Sequence, residues 1–549
     1  MRKIPRLMAM VSVVLLSLSP QLLWAQERTI SGTVISSDDG TPMPGVTVTN
    51  TKTNQRTQTN AAGYYSISAA TGHNLSFTYV GYVAQTITVP ESGLVNIRLV
   101  AAEQELGNVV VTGYGQRKSK RELTYQAPIV KGEEIAQTKR SNFLEALAGR
   151  VPGLSVTSTS GMPGASAQIM LRGGVSIGGN NQPLFVVDGV PMDNGAVNQE
   201  DLVSASSATG SSANLSLANR NSDYSNRIAD INPEDIENVT ILKGPEATSI
   251  YGSDGAAGAI VITTKKGATG KTRITYTNAF TVSEVYRYPK IQKVYARGNN
   301  GVTDPSAYST IYGYRFFGAK YPEGTPLYDN IRNFFDKAFS QQHSLTMEAG
   351  TTDFNYRFST GYLKQTGVVP NTALSRINFR FTSNAKLNKV LTLNSTFAYT
   401  YSVNDKAIKG AGSFYTNLIT FPSDIDAHDY INPDGTRKVF RNVSPIDEFD
   451  SPFWEVNKNR AKDKADNFSG NVTLNATIIK GLTMTGIVGF NQYSTEGVLS
   501  YHPQSRSAFT LGGFLSTFES IFRGLSTTAR VNYRKTVANK FSNDFYVGG

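Results

Sequence analysis

Cysteine is absent from this chain. That excludes the disulfide framework on which exported domains with small cores rely, and it leaves no site for lipid attachment at a processed N-terminus. Histidine occurs four times and tryptophan twice. The four histidines are scattered, so with no cysteine they assemble no acid, base and nucleophile grouping of a hydrolase, and no catalytic residue is expected. His73 stands alone in a turn and reads as structural rather than as a metal ligand. No apolar run is long enough for a transmembrane helix. The net charge of +11 is not gathered into a basic stripe interleaved with stacking aromatics. It reads as solvated loop charge, and no nucleic-acid partner is expected.

What is present begins with a leader. Arg2, Lys3 and Arg6 precede an apolar run from Leu7 to Leu18, then Pro20 and a Leu23-Trp24-Ala25 exit. That is the layout of a secretory signal peptide over residues 1–25, with Gln26 as the first mature residue. An exported chain without staples must be held by core burial or by closed β pairing.

Residues 26–101 alternate short β-prone segments with turn residues: Ile30 to Ile35, Val46 to Thr49, Tyr65 to Ile67, Leu75 to Tyr79, Tyr82 to Val89 and Val95 to Leu99. Six or seven strands in about 75 residues predict a small antiparallel sandwich. Residues 102–118 read as a linker. Within it, Val109-Val110-Val111-Thr112-Gly113-Tyr114-Gly115-Gln116 is a β-branched run followed by two glycines. A strand-prone peptide there suits a partner that binds by adding a strand; an ordinary edge strand is the alternative.

Residues 119–267 have a mixed α/β texture. Ser141 is positioned to cap a helix through Phe143, Leu144 and Leu147, ended by Gly149. Strands are expected at Ala167 to Leu171, Leu184 to Val187, Val239 to Leu242 and Ala259 to Thr264, with Pro233 suiting a first helical turn and a short helix ending at Tyr251. Ala196 to Asn226, rich in Ser, Ala and Asn, reads as a long loop. From Lys271 to Gly549 the pattern is strict alternation. Phe354, Tyr356, Phe358 and Tyr362 alternate with Asn355, Arg357, Ser359 and Gly361; Ile377, Phe379 and Phe381 alternate with Asn378, Arg380 and Thr382. One apolar and one polar face, joined by alternately tight and long connections, predict an outer-membrane β-barrel with its apolar face in lipid. The count is about nine strands of the about 22 needed to enclose a plug, so the chain is expected to be the N-terminal portion of a longer protein or a truncated product.

Two motifs mislead. Gly267-Ala268-Thr269-Gly270-Lys271-Thr272 ends like a phosphate-binding loop, but Lys265 stands where that motif needs glycine, and the residues after it alternate as a strand. Asp424-Ile425-Asp426-Ala427-His428-Asp429, near Asp434, lacks the helix-loop-helix calcium pattern and leaves only an irregular loop site as a calcium reading.

Several segments carry a family resemblance. Gly40 to Val48 and Asn60 to Ile67 resemble carboxypeptidase-regulatory-like domains. Leu171-Arg172-Gly173-Gly174, Val187-Asp188-Gly189-Val190-Pro191, Ile236 to Pro245, Ala247 to Gly252 and Gly255 to Thr264 resemble, in that order, the plug domains of TonB-dependent outer-membrane transporters. The whole is similar to the SusC/RagA type. The resemblance implies a mainly β fold: sandwich, plug at 119–267, and the first strands of an antiparallel transmembrane barrel at 271–549. It also implies a Gram-negative outer-membrane location with the N-terminal domain in the periplasm, no enzymatic activity and no cofactor or metal. The implied partners are outer-membrane lipid, TonB with its energising complex, a SusD-like lipoprotein lid, and a nutrient, oligosaccharide or peptide. By that resemblance Val109 to Gln116 occupies the TonB-box position. Arg172, Asp188 and Glu246 are candidates for ion pairs that hold or release the plug, with turn stabilisation as their alternative. Phe453 and Trp454, in a long loop, are candidates for proximity to substrate. A surface-exposed β-rich adhesin or glycan-binding protein without a transport cycle is the competing function.

Overall fold

The structure is a computed structural model. It describes residues 28–37, 40–79, 82–100, 109–111, 117–119, 127–158, 160–176, 181–192, 194, 227–304, 308–309, 313–408, 413–441, 445–537 and 541–548. The leader, Thr112 to Gln116 and the loop Ala196 to Asn226 lie outside the described residues. The chain divides into two compact units, residues 1–109 and 110–549.

The first unit is a sandwich of a three-stranded and a four-stranded sheet. Its strands alternate buried and exposed side chains, as the two-residue period of a half-buried strand requires. Ile30, Val34, Val48, Tyr65, Leu75, Phe77 and Leu99 form the dry interior. Tyr65 lies there because its hydroxyl donates to the Val95 carbonyl at 2.9 Å, satisfying the one polar group that burial would otherwise orphan. The expected all-antiparallel pairing is not what forms. Val34 to Ser36 runs parallel to Ile97 to Leu99, because the chain crosses over before its last strand.

In the second unit, a five-stranded mixed sheet has the spatial order Ile129–Lys131, Ile236–Leu242, Ala259–Thr264, Leu184–Val187, Val190–Met192. All six residues of Ala259–Thr264 are buried, which explains why this strand reads as a continuous apolar run rather than an alternating one. The hairpin between the last two strands turns on Asp188 and Gly189, both at positive φ (49° and 88°), the geometry for which Asp-Gly is suited. The helices are short. Phe143–Ala146 is capped by Asn142, whose side chain accepts from the Leu144 amide, so the cap falls one residue after the expected Ser141.

Nine further strands form a single sheet in strictly sequential antiparallel order. They are Gly270–Ser283, Ala338–Gly350, Phe354–Thr366, Ala373–Lys386, Leu391–Lys406, Arg460–Ile479, Leu482–Tyr501, Phe514–Val537 and Phe541–Gly548, called strands one to nine below. The longest has 24 residues, so several extend well beyond the about ten that a lipid band requires. The outer face exposes Ile274, Tyr276, Leu345, Phe379, Phe397, Phe468, Val488 and Leu525. The inner face buries polar groups, among them Ser344, Arg357, Asn378, Arg380, Thr400, Asn471 and Asn491. Strands six and seven meet in a two-residue turn at 480–481, whereas residues 407–459 separate strands five and six. This short-and-long alternation is that of a barrel with tight turns at one rim and long loops at the other. A strand, not a helix, begins at Gly270, so the phosphate-loop-like motif has no helix N-terminus to offer.

The long connections carry their own core of Phe334, Phe414, Leu418, Phe421 and Phe453. Trp454 is fully buried and donates its indole N–H to Ser505 Oγ at 2.9 Å; Phe453 packs edge-on against Phe334 in the lobe's core. Both are therefore packing residues of the loop lobe, not residues presented to a substrate. The carboxylates of the calcium reading in the same lobe have protein partners. Asp424 is held by Arg297 and Asp429 by Lys438, Asp426 contacts the His428 ring, and Asp434 accepts from Thr436. Among the described residues no group of three or more His, Asp or Glu is placed to hold a metal.

Candidate functional site

The inner face of strands two to four meets the mixed domain through charge. Arg357, Arg376 and Arg380 share one strand-face parity, and each is less than a tenth exposed. A guanidinium buried there is tolerable only with partners that replace its water.

The partners come from the short element Pro233–Asp235 and its surroundings. Asn232 caps that turn by accepting from the Glu234 amide, and Pro233 pre-sets its first φ. This places Asp235, 1% exposed, within 3.0 Å of Arg357 Nη2 and 3.8 Å of Arg380 Nε. Arg357 also faces Glu348 on the neighbouring strand at 3.7 Å. Arg376 donates to two backbone carbonyls of the domain, Ala229 at 2.7 Å and Ser141 at 2.9 Å. Three arginines of one wall thus grip three segments of the domain.

Asp188 joins the same cluster from the hairpin turn. Its carboxylate accepts from the Thr264 amide (2.9 Å) and hydroxyl (2.7 Å) and lies 3.9 Å from Arg380 Nη1. The turn-stabilising and ion-pairing roles coincide in this one residue. Arg172, also at positive φ (61°), is exposed, and its amide donates to the Gly153 carbonyl. Glu246 is half-buried with Oε2 lacking a hydrogen-bond partner among the described residues. The structure therefore does not bring Arg172, Asp188 and Glu246 together. It brings Asp188 together with Asp235, Arg357 and Arg380. Asp235, Glu348 and Arg376 were not singled out from sequence, although one signal was present: an arginine on the inward parity of a barrel strand requires a buried carboxylate or carbonyl facing it.

Asp230, beside Arg376, is pushed up to about 6, mainly by burial, with Arg376 opposing and Asp463 reinforcing the shift. A folded-state pKa above the ordinary 3.8 means that the native state holds the proton more tightly. The stability it confers is full below about pH 4 and is lost as pH rises through about 6, by on the order of 3 kcal/mol. Replacing Asp230→Asn should flatten this window and raise the neutral-pH thermal midpoint. Calorimetric scans at pH 4.5 and 7.5 check it, and an unchanged difference between the two pH values would count against the assignment.

On the other side of the hairpin, the contact with the sheet is neutral and close. A Cβ at Gly489 of strand seven would fall 2.4 Å from Val190 Cγ2, so only glycine lets the hairpin seat there. Beside it Asn471 Nδ2 donates to the Asp188 carbonyl at 3.4 Å, and a cavity of about 390 Å³ is lined by Asp188 and Thr264 together with Asn394, Asn471, Asn475 and Arg530 of the sheet.

Comparison with known proteins bears on this arrangement. Residues 119–259 match the TonB-dependent receptor plug domain family and residues 30–111 the CarboxypepD_reg-like domain family. The chain is 30% identical over 436 residues to the TonB-dependent receptor SusC of Bacteroides thetaiotaomicron, covering 79% of this chain and 38% of that protein. It is 28% identical over 489 residues to the TonB-dependent receptor P39 of Formosa agariphila, covering 86% and 41%. Among solved structures it superimposes on the RagAB peptide importer in its open-open state with a TM-score of 0.59 at 21% identity, over 80% of this chain and 48% of that one. The chain spans less than half the length of each of these relatives.

Proposed function

Because the chain belongs, over the part of those proteins that it spans, to the SusC/RagA-type TonB-dependent receptors, we propose that it serves the active import of a nutrient, oligosaccharide or peptide, across an outer membrane. The observation that carries this reading is a folded domain gripped by buried arginines against the polar face of a sheet whose other face is apolar. An adhesin needs no such internal obstruction; an importer that must stay closed until energised does.

In this reading the strand-prone segment Val109 to Gln116 is the TonB box. The periplasmic TonB protein adds a strand there and pulls, and the force is resisted by the cluster around Arg357, Arg376 and Arg380. Asp188 couples the hairpin turn to that cluster, with Arg172 and Glu246 acting at the plug's neighbouring turns. A SusD-like lipoprotein closes the long-loop rim over captured substrate. Cells expressing the full-length protein with this partner should accumulate labelled oligosaccharide or peptide, and a protonophore should stop accumulation while surface binding persists. Accumulation that survives the protonophore would refute active import.

A further inference from the structure

Along strand six the outward parity changes character once. Arg460, Lys462, Lys464 and Asp466 face out near the long-loop rim, and Phe468, Val472, Leu474 and Ile478 face out beyond them. Phe468 to Ile478 covers about 33 Å along an extended strand. At a barrel strand's tilt of about 40° this spans about 25 Å, the height of the apolar band. Tyr362 and Tyr399 are exposed at the band's rim-side edge, where amphipathic rings meet a membrane interface. The cations of strand six therefore stand just outside the hydrocarbon, at the level of the lipid headgroups.

Other strands add to them. Register carries Lys464 across Val403 and Ser375 to the exposed Lys364 of strand three, three strand spacings or about 14 Å away. The next row toward the rim is Thr366, Ala373, Asp405 and Lys462. With Lys337 and Arg460 these residues line a cleft of about 760 Å³. Lys462 is paired with Asp405 at 3.3 Å and Lys337 with Glu284 at 3.7 Å, and Asp336 is the cleft's second carboxylate. Lys364, Arg460 and Lys464 have no ion pair among the described residues. In the row of Lys464, strands seven and eight turn out Glu496 and Glu519, so the basic character is local to strands three to six.

We infer that this outward cleft is a site for the phosphorylated headgroup of an outer-leaflet glycolipid, held by Lys364, Arg460 and Lys464. Hydrogen bonds from guanidinium and ammonium groups to phosphate oxygens are charge-assisted and strong, and basic residues immediately outside the hydrocarbon recruit anionic headgroups. Thr366 and Asn371 on the cleft offer a hydroxyl and an amide that suit the hydroxyls of a sugar headgroup. Phe468, Val472 and Leu474 lie in line below, where acyl chains run. A nutrient passing through the lumen does not meet these side chains, because their parity points away from it. The inward neighbours Lys406 and Asp463 pair with each other at 2.6 Å.

The test uses the purified full-length protein in detergent micelles and the fluorescence anisotropy of a labelled bisphosphorylated lipid A. Binding should saturate and should weaken as salt rises from about 50 to about 300 mM. Dephosphorylated lipid A should compete about tenfold less well than the phosphorylated form, and inorganic phosphate at about 10 mM should not displace the lipid. Lys364→Gln, Arg460→Gln and Lys464→Gln should each weaken binding about fivefold. Glu496→Gln, which removes the carboxylate across from Lys464, should tighten it, and Lys480→Gln at the opposite rim should leave it unchanged. The substituted side chains are exposed, and thermal midpoints show whether each variant remains folded. Equal competition by dephosphorylated lipid A, displacement by inorganic phosphate, or folded triple-glutamine protein with unchanged affinity would each overturn the assignment. The measurement needs neither TonB nor a membrane potential. Failure of import would leave it untouched, and failure of the lipid site would leave protonophore-sensitive uptake untouched.

Discussion

Deleting Val109 to Gln116 should reduce accumulation of the nutrient in energised cells to the protonophore-treated background while leaving surface binding at the wild-type level. The physical reason is that strand addition takes its affinity from backbone hydrogen bonds, and its register from alternating side chains, of one short extended segment. Val109–Val111 adopts strand geometry and pairs with Arg117–Ser119 in a two-stranded sheet, so the backbone there already holds the conformation that a partner strand needs. In the proposed reading substrate capture does not draw on this segment, so the deletion leaves it in place. A finer variant separates pairing from mere tether length. Val110→Pro preserves length but removes an N–H and fixes φ, and it should impair uptake nearly as much as the deletion. Uptake undiminished by both changes would place energy entry elsewhere and would favour a surface protein without a transport cycle.

The second large effect is expected at Arg357. Truncation to alanine leaves Asp235, 1% exposed, with only the 3.8 Å contact to Arg380 as a cation partner among the described residues, and leaves Glu348 short of one cation. Breaking a buried pair by removing one partner costs about 3–5 kcal/mol, because the remaining charge keeps its desolvation cost without its compensation. The loss should appear as plug unseating: faster proteolytic nicking of the domain and a lower thermal midpoint, with strands two to four otherwise intact. Replacing both partners, Arg357→Met with Asp235→Leu, should recover much of the loss, since the pair as a whole contributes far less than either charge left alone. Equal damage from the single and double replacements would show that the pair does not act as a unit.

Legibility from sequence differed by feature for identifiable reasons. The outward face of the sheet could be read residue by residue, since Ile274, Phe379, Phe397 and Phe468 repeat at the two-residue period that a strand imposes. The Asp188–Gly189 turn was visible because two successive positive-φ positions leave few residue choices. Phe453 and Trp454 were not readable as packing residues. An aromatic in a long loop gives no sign of its burial until Phe334, Phe414 and Ser505, from three other stretches of chain, close around it. The carboxylates at 424–434 resembled a cation site only while Arg297 and Lys438 had no location.

By itself the sequence determined the elements and their faces: a small β-sandwich, a strand-prone linker, an apolar central strand in the mixed domain, and long alternating strands with one lipid-suited side. Local sterics and hydrophobic period act over a few residues, so a linear reading captures them. The tertiary structure alone decided which charges meet. Asp235 and Arg357 are separated by 122 residues and Arg376 and Ser141 by 235. Coulombic and hydrogen-bond partners are selected by proximity in space and by shared exclusion from water, neither of which has a period in the chain. For the same reason only the fold could show that one wall of the sheet is charged and grips the plug, while strands seven and eight carry no inward charge between the long-loop rim and Thr528.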